Sequence, residues 1–130
     1  MTAERNVLGG ALEVCGADPL TGFYRDGCCS PGREDLGSHT VCAVVSREFL
    51  AHQLRVGNDL VTPRPEYRFP GLRPGDRWCV VAARWLQAHE AGVAPAVVLA
   101  ATHERAAEIV PVQLLRRYAV DVPSDPSSLA

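Results

Sequence analysis

Residues 40–57 read TVCAVVSREFLAHQLRVG, and this stretch decides the fold. Its first six residues form an apolar run with β-branched side chains, which is typical of a buried strand. Ser46 is a favourable N-cap, and Glu48 falls in the first turn of the segment that follows. Apolar residues then share one face at three- and four-residue spacing: Phe49, Leu50 and Leu54. Because Gly57 is placed to end this segment, we predict a strand followed by a helix to about Val56.

The next segment, residues 58–76, is too rich in proline and glycine for a helix or a central strand. Its prolines and glycines are Pro63, Pro65, Pro70, Gly71, Pro74 and Gly75. We expect an extended, proline-stiffened excursion here. Beyond it, residues 77–82 predict a second strand, and residues 83–91 predict a short helix that Gly92 ends.

The last third of the chain predicts a third strand and a third helix. Residues 97–101 form an apolar strand pattern, and residues 106–110 fit a hairpin partner, with a helix from Thr102 as the competing interpretation. Pro111 suits the first turn of a final helix. Together the elements predict an α+β fold: a small sheet with three short helices and long Gly/Pro-rich loops. We expect one domain over residues 1–121 and a flexible tail over residues 122–130.

Composition excludes several classes of function. The 130 residues carry a formal net charge of -2, and 47% are hydrophobic. No apolar run approaches the roughly 20 residues of a membrane span. The basic residues are scattered, so we expect neither a nucleic-acid nor a membrane partner. All 13 basic residues are arginine, which excludes a Schiff-base lysine mechanism.

The cysteines suggest a reducing compartment. There are five, Cys15, Cys28, Cys29, Cys42 and Cys79. This odd number, in a chain whose first residues do not resemble a secretion signal, argues against a disulfide framework. We therefore expect a cytoplasmic protein with reduced thiols.

Several blocks of sequence carry a family resemblance. They are residues 6–10, 19–27, 39–43, 57–60, 69–72, 75–79 and 101–103. In these blocks the chain resembles a bacterial and plant family known as domain of unknown function 2237, from Asn6 to about Asp121. The family usually places a second cysteine two positions after the one that matches Cys79, where this chain has Val81. The resemblance implies no particular activity.

One candidate site is a metal centre. Cysteine and histidine are the ligands that zinc prefers, and a structural zinc ion takes four of them. Cys15, Cys29, His39 and Cys42 supply such a set for zinc or another transition metal if residues 16–38 fold back on the first strand. Their spacing is not that of a standard zinc finger. The alternative is that Cys42 and Cys79 are core residues and His39 caps a turn.

A nucleophilic site would use the same residues differently. Cys29 would act as the thiolate and His39 as its base, with Asp26 or Asp35 orienting the imidazole. A thiolate also needs a positive neighbour. Two arginines of the loop are candidates for it, Arg25 and Arg33.

A third candidate site is a ligand pocket formed by arginine and tryptophan. Arg25, Arg64 and Arg77 offer paired hydrogen bonds to a carboxylate, and Trp78 offers an apolar wall. Asp76 completes this candidate set. The alternative is that Trp78 belongs to the core and that Asp76 and Arg77 form a local ion pair.

Loops as long as residues 16–38 are often functional in compact domains. We expect this loop and residues 58–76 to build one pocket that contains Cys29, His39 and Cys42. The leading hypothesis is an accessory protein that binds a small molecule or a metal. The alternatives are a thiol-dependent enzyme acting on a small molecule and a protein-interaction module.

Overall fold

A computed structural model describes residues 4–32, 35 and 38–121. Its strands are β1 (His39–Val44), β2 (Arg77–Val81) and β3 (Ala96–Val97), and its α-helices are α1 (Arg47–Arg55), α2 (Ala82–Glu90) and α3 (Val112–Arg117). Short 3-10 helices cover Pro65–Tyr67, Leu99–Ala101 and Glu104–Glu108. The strands form one antiparallel sheet in the order β2-β1-β3. The α+β prediction is confirmed.

The central strand β1 is buried on both faces of the sheet. Val41 and Ala43 belong to the main hydrophobic core. Cys42 lies between them and points to the opposite face, because side chains alternate along a strand. There it belongs to a second, smaller cluster that also contains Cys79, its direct partner on β2. A register shift between His39 and Val41 marks a bulge at the start of the strand.

The strand–helix unit follows the sequence prediction closely. The Ser46 hydroxyl accepts a hydrogen bond from the Phe49 amide at 3.1 Å and so caps α1. Phe49 and Leu50 are buried, whereas Leu54 is 52% exposed. The apolar face of α1 is therefore covered only along its first turns.

Two predictions for the last third of the chain are wrong. The third strand has two residues rather than five, because the chain turns into a 3-10 helix at Leu99. Residues 106–110 do not form a hairpin. The His103 side chain accepts a hydrogen bond from the Arg105 amide, which starts a 3-10 helix instead. This outcome is nearer the competing helical interpretation.

The remaining elements agree with the sequence. α2 and α3 begin within one residue of the predicted positions, and residues 58–76 hold a single 3-10 turn. No helix among the described residues is long and apolar enough to cross a membrane. The predicted tail, residues 122–130, lies outside the described residues.

Candidate functional site

A cavity of about 220 Å³ lies between the loop of residues 16–32, the start of β1 and the proline-rich segment. We refer to it as the arginine cavity. Its walls are Arg25, His39, Asp59, Leu60, Arg64, Tyr67, Phe69 and Trp78. The cavity therefore combines two guanidinium groups, an imidazole and a carboxylate with three aromatic rings.

Arg25 is held in place by its own loop. Its backbone amide and its guanidinium group both donate to the Gly22 carbonyl, at 3.0 and 2.6 Å. The guanidinium carbon lies 5.0 Å from the centre of the Trp78 ring, within range of a cation–π interaction. These contacts fix the position of the positive charge before any ligand arrives.

Arg64 comes from the proline-rich segment. Its backbone exchanges two hydrogen bonds with Phe69, at 2.7 and 3.0 Å, which closes a tight loop around Tyr67. Phe69 is buried against Trp78, with ring centres 5.1 Å apart. No hydrogen bond or ion pair of the Arg64 guanidinium is found within the described part of the chain. The backbone is anchored, while the charged group is exposed.

His39 is oriented by a buried carboxylate. Asp35 bonds to the imidazole Nδ1 at 2.6 Å and accepts from the His39 backbone amide at 2.8 Å. The Asp35 side chain is completely buried. An ionised carboxylate can only accept hydrogen bonds, so the proton of this contact lies on Nδ1, and in the neutral imidazole Nε2 then carries the lone pair. The Nε2 atom has no hydrogen-bond partner among residues 4–32, 35 and 38–121.

Asp59 adds a negative charge at the rim. Hydrogen bonds from the Thr62 side chain and from the amides of Thr62 and Val61 lower the pKa of its carboxyl group, and Arg64 adds a smaller effect. Since these donors favour the charged form, Asp59 stays ionised at neutral pH. The cavity is thus mixed in charge, with two arginines against one aspartate.

The structure brings together only part of the predicted ligand set. Arg25, Arg64 and Trp78 line the arginine cavity, as does His39. Asp76 instead accepts a hydrogen bond from the Arg73 amide in the turn before β2. Arg77 is exposed and directly precedes Trp78 on β2. Because adjacent strand residues point to opposite faces, Arg77 cannot join Trp78 in one wall.

The cysteines correct the expectation of five reduced thiols. Cys15 is bonded to Cys42, and Cys29 is bonded to Cys79, which leaves Cys28 as the one free thiol. All four bonded cysteines are at most 2% exposed. The two bridges fasten the loop to β1 and β2, and we refer to these four residues as the cysteine cluster.

The structure also changes which of the predicted residues could hold a metal ion. The sulfur atoms of Cys15, Cys29 and Cys79 lie within 4.8 Å of one another, and Cys42 is bonded to Cys15. His39 is not in this group, because Asp35 holds its imidazole at the arginine cavity. The predicted pocket with Cys29, His39 and Cys42 does not exist as one site. His39 lines the arginine cavity, and the two cysteines belong to the cysteine cluster.

The predicted nucleophile is not a free thiol in this structure. Cys29 is buried and bonded to Cys79. Burial, followed by the charges of Asp26 and Glu4, raises the pKa of the neighbouring Cys28 thiol, which disfavours its thiolate. Asp26 accepts a hydrogen bond from the Cys28 amide, and Asp35 orients His39 instead. The other proposed neighbour of the thiolate, Arg33, lies outside the described residues.

Four cavity residues were missed by the sequence reasoning: Asp59, Leu60, Tyr67 and Phe69. A usable signal was present. Aromatic residues inside a proline-rich excursion have no regular element of their own to pack into, so they pack against a neighbouring surface. Phe69 does so against Trp78, whereas Tyr67 stays 70% exposed.

Comparison with known proteins identifies the family of the chain. The profile of the family DUF2237, described as uncharacterized proteins conserved in bacteria, matches residues 5–119. The chain belongs to that family. No curated protein matches it.

Gly22 offers a test of how the loop positions Arg25. Its φ is +103°, and an added Cβ would collide with the Cys28 carbonyl oxygen. Gly22→Ala should therefore cost about 3 kcal/mol of unfolding free energy, from backbone strain and a steric clash. Gly57→Ala is the matched control, because Gly57 has a φ of +92° and open space around its Cβ position. Urea denaturation should give about 1–2 kcal/mol for the control. Equal losses would show that the contact with Cys28 does not matter.

Proposed function

We propose that this chain is an accessory protein that binds a small organic acid in the arginine cavity. The observation that carries the proposal is the convergence of Arg25 and Arg64 on one cavity floored by Trp78. Guanidinium groups form paired hydrogen bonds with carboxylates, and an indole ring offers an apolar surface to the rest of the ligand. The favoured ligand is a carboxylate on a flat apolar body.

Size and charge narrow the ligand class. A volume of about 220 Å³ is below the range of about 300–1,000 Å³ that holds drug-sized molecules, so the ligand is of metabolite size. Asp59 opposes a second negative charge near Arg64. With two arginines and one aspartate in the cavity, a monocarboxylate suits its charge better than a phosphate or a dicarboxylate.

Benzoate and its uncharged analogue benzamide test the charge requirement. Benzoate should bind and change the tryptophan fluorescence, because Trp78 lines the cavity, and benzamide should bind much more weakly. Arg64→Ala should raise the benzoate dissociation constant at least about tenfold, since a charge-assisted hydrogen bond contributes about 1.5–3 kcal/mol.

Arg68→Ala is the matched control, because Arg68 is exposed on the same segment and does not line the cavity. It should leave the benzoate affinity unchanged. Equal affinity for benzoate and benzamide, or equal effects of the two arginine substitutions, would contradict the proposal.

The Asp35–His39 pair favours a second candidate, an enzyme that uses His39 as a general base. A buried carboxylate on Nδ1 leaves Nε2 able to accept a proton from a bound molecule or from water. This candidate does not need Cys29. It replaces the thiol-dependent enzyme as the catalytic alternative.

Hydrolysis of p-nitrophenyl acetate tests this candidate. If the pair is a general base, Asp35→Asn should lower the hydrolysis rate by about 100-fold, because the imidazole loses its orienting carboxylate. Benzoate binding should persist in the same variant. A wild-type rate no higher than that of an equal concentration of free imidazole would reject the catalytic role.

We also propose the cytoplasm as the location. In that reducing compartment Cys28 and the four clustered cysteines would be thiols, and the two bridges of the structure would form only on oxidation. The interaction-module alternative requires neither the cavity nor the Asp35–His39 pair. Arg25 is positioned by Trp78, and His39 by Asp35, and this favours a small-molecule role over a protein-interaction module.

A further inference from the structure

The cysteine cluster draws its members from four separate parts of the chain. Cys15 directly precedes the loop, Cys29 lies within it, Cys42 lies on β1, and Cys79 lies opposite Cys42 on β2. Val98 and Ala101 pack in the same cluster, and the buried hydroxyls of Thr21 and Thr102 accept hydrogen bonds from the amides of Cys79 and Cys42. Three of these sulfur atoms, those of Cys15, Cys29 and Cys79, are close enough together to share one metal ion, and the fourth is bonded to Cys15.

We infer that the reduced protein binds one zinc ion through Cys15, Cys29, Cys42 and Cys79. In tetrahedral zinc–thiolate sites the Zn–S distance is about 2.3 Å, which places neighbouring sulfur atoms about 3.8 Å apart. Three of the four sulfur atoms already lie within 4.8 Å of one another, and reduction frees Cys42 beside them. To complete the tetrahedron, the two bonded pairs separate to about 3.8 Å and Cys42, which lies outside the group of three, joins it.

This site is distinct from the arginine cavity and excludes His39. The His39 ring is held by Asp35, and its side chain is 33% exposed, whereas the cysteine cluster is buried. A zinc ion here would fasten the loop to β1 and β2, as the two bridges do. The same four residues thus have two cross-linked states.

The two states interconvert by a balanced oxidation. Four thiolates lose four electrons and form the Cys15–Cys42 and Cys29–Cys79 bonds, and the zinc ion leaves. Two molecules of hydrogen peroxide take up the four electrons and four protons and become four molecules of water. The protein would therefore release zinc when it meets peroxide and rebind it after reduction.

Cobalt titration of the reduced protein tests the site. The full chain, reduced with a phosphine under anaerobic conditions and freed of chelator, should bind one Co²⁺ with the thiolate-to-metal charge-transfer bands of a four-sulfur tetrahedral site. Zinc should displace it. Cys42→Ser should weaken binding by more than about tenfold, because the ion loses a ligand. His39→Ala and Cys28→Ser should bind as the wild type does.

A readout on the wild-type chain covers the case in which Cys42→Ser fails to fold. With zinc bound, iodoacetamide should label Cys28 alone, and a chelator should expose the other four thiols. In a separate sample of the zinc-bound protein without chelator, peroxide should release one zinc per chain and form both bridges. Absence of charge-transfer bands, loss of cobalt binding in His39→Ala, or equal labelling of all five thiols with zinc present would overturn the inference. None of these outcomes depends on benzoate binding.

Discussion

The attachment of one loop to the sheet by two sulfur–sulfur bonds is the constraint on which the rest of the structure depends. The sheet is small, and β3 contributes only two residues. On its second face the sheet is covered by the cysteine cluster with Val98 and Ala101. The bridges span 27 and 50 residues, and cross-links of that span each lower the entropy of the unfolded chain by an amount worth about 4 kcal/mol. Without them the loop has little apolar surface to hold it.

The arginine cavity follows from this attachment. On β2, Cys79 anchors the loop on one face of the sheet, and the adjacent Trp78 forms the floor of the cavity on the other. Arg25 lies four residues before Cys29, so the bridge at Cys29 limits how far the guanidinium group can move from the indole ring. The cysteine cluster and the arginine cavity therefore consist of different side chains, but the loop connects their positions. This link explains why one loop can serve both sites.

The sequence predicted the parts of this structure whose signals are local. Residues 40–57 carry a strand pattern, an N-cap and a terminal glycine that agree with one another, and the structure contains that unit. β3 was predicted too long because its end is decided by distant partners. The Val97 amide donates to the Tyr118 carbonyl, and the Val98 amide donates to the Cys42 carbonyl. No window of neighbouring residues contains that information.

The site was predictable in composition and not in arrangement. Arginine and tryptophan indicated a carboxylate pocket, but the choice between Arg77 and Arg25 depends on which face of β2 carries Trp78. The pairing of the cysteines was beyond the sequence, because five cysteines offer five choices of the free thiol with three pairings for each, and their spacing favours none. The sequence left two carboxylates as candidates to orient the His39 imidazole, Asp26 and Asp35. Only the hydrogen bonds that the Asp35 carboxylate makes with the amide and the imidazole of His39 distinguish it from Asp26.

Hydrogen exchange of the loop tests most directly the claim that the cysteine cluster holds it to the sheet. The oxidised protein is compared with protein reduced in the presence of a chelator, so that neither the bridges nor a metal ion remains. The account predicts that amide exchange in residues 16–32 rises at least about tenfold on reduction while α1 keeps its protection, as for a locally opening segment. Unchanged exchange in residues 16–32 after complete reduction would contradict it.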